Sequence, residues 1–208
     1  MTGAIPAVNA LLFGISLGLL AFVFLWATTT LAAALLALSA LLFYVFVYTV
    51  WLKRRTPQNI VIGGAAGAVP PLVGWAAVTG TVSGTAVMLF FIVFFWTPPH
   101  FWALSLLMKG EYEKVGVPML PVVRGEAETR RQILLYAVLL YAVTQLPFCA
   151  GGFGVIYLGG SLVLGVLFIA AAARLYRRAD RASALRLYLF SLLYLALLFC
   201  VMVADVHL

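Results

Sequence analysis

Three observations predict an all-α fold, a polytopic transmembrane helical bundle. First, 65% of the 208 residues are hydrophobic and only 9% are charged, against roughly a quarter charged in a soluble domain. Second, the chain divides into seven apolar runs of the ~20 residues needed to cross a hydrocarbon core. Third, all 13 Lys and Arg residues fall in alternate connections between those runs. No linker, low-complexity tract or second soluble domain interrupts the pattern, so residues 1–208 read as a single transmembrane domain.

The runs are Val8–Ala27, Leu31–Leu52, Ile60–Thr79, Thr85–Met108, Ile133–Ala150, Gly154–Ala173 and Leu185–Val203. Cations sit at Lys53, Arg54 and Arg55, then at Lys109, Lys114, Arg124, Arg130 and Arg131, then at Arg174, Arg177, Arg178, Arg181 and Arg186. The connections near Thr28–Thr30, Gly80–Gly84 and Ala150–Gly152 carry no charge. Loops rich in Lys and Arg remain cytoplasmic, so the N-terminus is expected inside and the C-terminus outside a bacterial cytoplasmic membrane. The net charge of +7 is then a topogenic signal and an attraction to anionic membrane lipid. A nucleic-acid partner would need a basic soluble face, which the sequence lacks. Cys149 and Cys200 lie near outer helix ends; a disulfide is one reading, and small apolar packing residues are the simpler one. The first run has neither the basic n-region nor the cleavage site of a signal peptide and reads as a mature span.

The first two helices are joined by so few residues that they must form an antiparallel hairpin. The second ends in YTVWLKRRTPQN, where Tyr48 and Trp51 reach interface depth and Pro57 prevents simple continuation. An aromatic belt with a positive anchor accounts for this segment. That is the simpler reading, although Thr56, Gln58 and Asn59 beside three cations would also suit a phosphate-bearing ligand. In the third helix, Gly63 and Gly67 have the spacing that admits a neighbouring backbone, and Pro70 and Pro71 must kink or break the span. A break at membrane depth is tolerated where protein or a water-filled cavity satisfies the freed groups.

The fourth helix carries Phe90, Phe91, Phe94, Phe95, Trp96, Phe101 and Trp102, either as a lipid-facing surface or as the wall of a cavity for a flat or long apolar ligand. Pro98 and Pro99 are expected to strain it just before His100, the one ionisable group placed deep in a span. His100 is then a structural residue bonded to a neighbouring helix, or a ligand or proton-transfer group. Glu111 follows eleven residues later, and eleven steps of about 100° would return it to the same face, above the imidazole, if the helix continued. Lys109–Gln132 reads as the longest polar loop, with Glu111, Glu113, Glu126 and Glu128 among cations. Such a mouth suits a magnesium diphosphate, although a merely solvated loop has the same composition. Beyond it, Tyr136, Tyr141, Tyr157 and Tyr194 supply packing. Asp180 is expected to pair with a nearby Arg, and Asp205 and His207 to form a solvated tail.

The segments YTVWLKRRTPQNIVIGGAAGAVPPLVGW and FFWTPPHFWALSLLMKGEYEKVGVPMLPVVRG together resemble the haem O synthase (protohaem farnesyltransferase) branch of the UbiA-type intramembrane prenyltransferases, across essentially the whole chain. The resemblance implies transfer of the farnesyl group of farnesyl diphosphate to a vinyl group of protohaem (haem B), giving haem O for terminal oxidases. It implies Mg²⁺ with the diphosphate, protohaem and farnesyl diphosphate as substrates, and haem A synthase as a partner. By the same resemblance, Glu111 and His100 carry the catalysis, Glu111 and secondarily Glu113 hold the metal, and Lys53, Arg54, Thr56 and Asn59 bind the diphosphate. Trp96, His100, Phe101 and Trp102 then line the haem and prenyl pocket, with His100 as iron ligand or proton-transfer residue.

The family has nine helices and an Asn-x-x-x-Asp-x-x-x-Asp motif after its second. Here no acidic residue precedes Glu111, and MTGAIPAVNALLFG is similar to family sequence downstream of that motif. The chain is therefore expected to correspond to the third to ninth helices, lacking the first two and the first Asp-rich motif. A catalytically incomplete haem- or isoprenoid-binding membrane protein is the alternative to an active transferase. A secondary transporter is a third class, but the internal repeat many transporters show is not seen.

Overall fold

The computed structural model describes residues 6–207; the first five residues of the opening motif lie outside them. The described residues form helices α1 Ala7–Thr28, α2 Leu31–Leu42, α3 Asn59–Gly67, α4 Pro70–Thr79, α5 Gly84–Leu107, α6 Lys109–Lys114, α7 Leu120–Val123, α8 Gly125–Cys149, α9 Val155–Arg178 and α10 Arg181–His207. Counting α2 with its continuation and α3 with α4, seven spans among them are long and apolar enough to cross a membrane, as the hydropathy pattern predicts.

Four of these helices form a closed bundle, in which α5 packs on α8 and α10, α8 on α9, and α9 on α10. Its interior is a cluster of fully buried residues including Ile92, Trp102, Ile133, Leu140, Tyr157, Phe168, Leu187, Tyr194 and Leu198. A second layer runs outward from α5 through α3 and α4 to α2 and α1. The outermost helix, α1, packs along α2 and buries none of its residues. Leu, Val, Ile and Phe cover the outside, as lipid contact requires, while small polar residues sit inside. Most of those hydroxyls donate to a carbonyl of their own helix: Thr97 to Val93, Ser105 to Trp102, Thr144 to Leu140 and Ser191 to Tyr188. This local bonding lets a buried Ser or Thr meet its polar requirement without a partner elsewhere.

Several elements differ from the sequence expectation. After Leu42 the second span continues as a wider π-helix over Phe43–Leu52, with the Lys53 N–H reaching the Tyr48 carbonyl five residues back. The third span breaks between Gly67 and Pro70, where the chain resumes with Pro at the first helical position; there the expectation holds. Pro98 and Pro99, by contrast, lie inside an uninterrupted α5. The segment Lys109–Gln132 is not a loop: α6, α7 and the first turns of α8 occupy it. Its polar side chains pair along the helix, Glu126 with Arg130 at 3.7 Å and the Gln132 amide donating to Glu128 at 2.7 Å, so a polar helix extends the apolar span. The last two spans lengthen likewise, leaving Arg174, Arg177, Arg178, Arg181 and Arg186 on helices.

Asp180 accepts the Ser183 N–H at 2.6 Å and caps α10 instead of pairing with an Arg. Asp205 is not a solvated tail; it accepts the N–H groups of Gly154 and Tyr157 at the start of α9. Cys149 and Cys200 are unpaired and exposed, so they neither form a disulfide nor fill the core.

Candidate active site

Where the third span breaks, the packing opens. One cleft of about 750 Å³ is lined by Pro70, Pro71, Gly74, Trp75, Leu89, Leu195 and Phe199. A second, of about 480 Å³, is lined by Tyr44, Tyr48, Ile60, Gly63, Gly64, Thr97 and Phe101. Gly67, Val93 and Trp96 line both, so the two form one apolar trough with Trp96 at its junction. Each part is of ligand size. The glycines of α3 contribute unequally. A Cβ on Gly63 would collide with the Tyr48 ring, and one on Gly64 would come within 2.9 Å of Thr97, whereas Gly67 has free space beside it. The expected Gly63/Gly67 packing pair is therefore replaced by Gly63 and Gly64, and Gly67 keeps the trough open.

His100 stands one helical turn from Trp96 and stacks on it, ring centroids 4.3 Å apart and planes 18° apart. Tyr188 of α10 covers the other face at 4.9 Å. The imidazole is 6% exposed, and its Nδ1 lies 2.6 Å from the Ser191 hydroxyl. The Trp96 indole N–H donates to the backbone carbonyl of Ser191 at 2.8 Å. Phe101, the next residue, lines the trough. Trp102 does not: about 100° further round the helix, it is buried against Tyr136 of α8 and touches only a separate small pocket.

The basic and acidic segments approach the same end of the trough. The Lys53 ammonium lies 6.0 Å over the Tyr48 ring, and Tyr112 of α6 packs with Ile60, Val117 and Met119; Tyr48 and Ile60 both line the trough. Arg54 is exposed beside Lys53. Asn59 is fully buried under the turn, its side-chain N–H donating to the Lys53 carbonyl at 3.1 Å while its Oδ1 has no partner. Thr56 accepts the Gln58 N–H and lines the separate pocket of about 270 Å³ with Trp102, Arg124 and Gln132. The segment thus divides, with Lys53 over the trough-lining Tyr48 and Thr56 on another pocket.

Glu111 does not lie on a continuation of the helix bearing His100. Met108, at φ −112° and ψ 20°, ends α5, and α6 starts afresh at Lys109. Glu111 is exposed and paired with Lys114 at 2.9 Å. Glu113 approaches Lys109 at 3.9 Å, and Lys109 also reaches Glu126 at 3.4 Å, tying α6 to α8. Among the described residues no group of three or more His, Cys, Asp or Glu side chains forms a preassembled metal cage. A magnesium ion that arrives with a diphosphate needs only one or two protein carboxylates, and an exposed ion pair such as that of Glu111 is held weakly. The donor set fits Mg²⁺ in that role.

Ser191 and Tyr188 were not singled out from the sequence. Their signal was a Ser in the middle of an apolar span, at the 3–4-residue spacing of the buried positions Ser183, Leu187, Ser191, Tyr194 and Leu198, the kind of small polar residue that membrane helices place at their contacts.

Residues 1–199 match the family model described as the UbiA prenyltransferase family. The chain is 54% identical over 204 residues to the protoheme IX farnesyltransferase of Roseiflexus sp. (strain RS-1), covering 98% of this chain and 38% of that protein. It is 54% identical over 206 residues to the protoheme IX farnesyltransferase of Symbiobacterium thermophilum, covering 98% of this chain and 69% of that one. The chain thus spans well under half the length of the Roseiflexus relative and about two thirds of the Symbiobacterium one. A solved structure from work on digeranylgeranylglyceryl phosphate synthase in membranes superposes with a TM-score of 0.79 at 20% identity, covering 98% of this chain and 71% of that chain. That likeness concerns the fold.

Proposed function

The chain belongs to the UbiA prenyltransferase family, and from that premise we propose that it joins the farnesyl group of farnesyl diphosphate to a vinyl group of protohaem, giving haem O. The observation that carries this reading is the apolar trough, with Trp96 on its wall, His100 stacked on Trp96, and Lys53 and the Glu111 helix approaching one end.

The trough walls hold the prenyl chain and keep water from the allylic cation formed when the C1–O bond breaks. C1 then bonds to the terminal vinyl carbon, and one water adds to the neighbouring carbon with loss of a proton, leaving diphosphate and the hydroxylated haem O as products. Lys53 and Arg54 neutralise the charge that develops on the departing diphosphate, where preorganised cations act most strongly. Glu111, with Glu113 second, would hold Mg²⁺ beside that group; when bound, the ion supplies Lewis-acid neutralisation of the leaving group. The porphyrin lies against Trp96 and Phe101, with His100 toward its iron. The end bearing the Lys and Arg residues is the cytoplasmic one.

A specific observation favours a second reading, binding of haem or an isoprenoid without turnover: both α6 carboxylates are engaged by lysines, Glu111 by Lys114 at 2.9 Å and Glu113 by Lys109 at 3.9 Å. One assay separates the two. The purified chain is incubated with protohaem, farnesyl diphosphate and Mg²⁺, and the extracted haems are resolved by chromatography and mass. Haem O supports the transferase reading; bound protohaem without product overturns it in favour of binding alone.

A further inference from the structure

We propose that Ser191 is the positioning residue for His100, fixing the imidazole proton on Nδ1 and presenting the Nε2 lone pair to the iron of a porphyrin substrate. The ligand half of this proposal rests on the haem reading above; the tautomer half does not.

The Ser191 hydroxyl has one proton and two close neighbours, the Tyr188 carbonyl at 2.5 Å and His100 Nδ1 at 2.6 Å. A carbonyl can only accept, so the hydroxyl proton is directed to Tyr188. The oxygen then faces Nδ1 with a lone pair, and Nδ1 carries the hydrogen. A neutral imidazole has a single N–H, so Nε2 is the unprotonated nitrogen.

Two further contacts keep the ring in that setting. Trp96 and Tyr188 stack on its opposite faces, so a ring flip must displace both, and only the edge is offered to a ligand. The Trp96 N–H grips the Ser191 carbonyl at 2.8 Å while His100 grips its hydroxyl. Both oxygens of Ser191 are thereby held by residues four apart on α5. Nε2 itself has no hydrogen-bond partner among the described residues, yet it is not sealed as Asn59 Oδ1 and Trp102 Nε1 are. An imidazole whose second nitrogen donates to a fixed acceptor is the arrangement that orients a metal-binding His and raises its basicity. Coordination uses the Nε2 lone pair and displaces no proton.

The chain has only two His residues, so His207→Gln leaves His100 as the sole histidine signal. In that parent, labelled with ¹⁵N-histidine, two-bond NMR correlations should show one tautomer with the proton on Nδ1. Ser191→Ala should give a mixture or the opposite tautomer, and Ser191→Thr, which keeps the hydroxyl, should restore the parent pattern. A proton on Nε2 in the parent, or an unchanged tautomer in Ser191→Ala, overturns the proposal. Protohaem added to the parent should give the absorbance and EPR signature of imidazole ligation. That signature should disappear in His100→Ala, weaken roughly tenfold in affinity in Ser191→Ala, and return in Ser191→Thr. Protohaem bound without an imidazole signature overturns the ligand half alone. Failure of protohaem to bind the parent overturns the ligand half together with the haem reading, while the tautomer result stands or falls by itself.

Discussion

The carboxylate of Asp205, near the end of α10, lies across the start of α9: one oxygen accepts the Gly154 N–H and the other the Tyr157 N–H at 3.0 Å. A helix N-terminus leaves four N–H groups without intrahelical partners, and here a side chain from another helix takes two of them. Asp205→Ala should therefore lower the thermal unfolding midpoint in detergent by a few degrees, and Asp205→Asn, which keeps one acceptor oxygen, by less. Equal midpoints for all three chains would remove the cap from the account of stability.

Gly63 and Gly67 should respond differently to the same methyl group. In Gly63→Ala the new carbon meets the Tyr48 ring, and in Gly67→Ala it enters free space. Overpacking typically costs about 1–3 kcal/mol, so Gly63→Ala should unfold at lower temperature while Gly67→Ala melts close to the parent. The second variant should instead narrow the trough, which a rise in KM for the prenyl donor would reveal.

The two carboxylates of α6 are also separable. Glu111→Ala should reduce haem O formation roughly a hundredfold, the scale of removing one preorganised charge-stabilising group, and Glu113→Ala only a few-fold. Product measured under saturating substrates checks this; equal losses would show that the two share the role.

Asp180 gives a prediction in pH. The Ser183 N–H and hydroxyl, then the nearby Arg178 and Arg186, hold its carboxyl below the ordinary value of 3.8. A group depressed in the folded state stabilises above its unfolded value and loses that contribution as pH falls through the folded one. The parent should exceed Asp180→Asn in melting temperature at neutral pH, and the difference should begin to shrink at about pH 4 and vanish only below the depressed folded value. A constant difference down to pH 3 would contradict the assignment.

What could be read from the chain depended on whether its cause was local. Pro70 and Pro71 break the third span as expected, because a missing N–H and a fixed φ act wherever the residue stands. Pro98 and Pro99 have the same chemistry, yet α5 continues, held by α8 on one side and α10 on another. Lys109–Gln132 has the composition of a solvated loop, while the i,i+3 and i,i+4 pairing of its charges supports helix. The aromatics of α5 point to the trough, but Trp102, about 100° round the helix from Phe101, faces a different neighbour, a matter of helix rotation set by packing. Asp205 and Ser191 could not be assigned their partners, which lie 48 and 91 residues away. Only the assembled bundle brings them together.

Near one end of α10 the Arg181 guanidinium donates to the Leu107 carbonyl at 3.1 Å, and near the other Asp205 grips α9. A beam fastened at both supports cannot slide along its axis. When membrane thickness changes, a free helix adjusts by tilting or shifting. Here the strain is directed to the outer layer, where α1 has no buried residue to anchor it, and the midpoint of α10, where Ser191 meets His100, keeps its height.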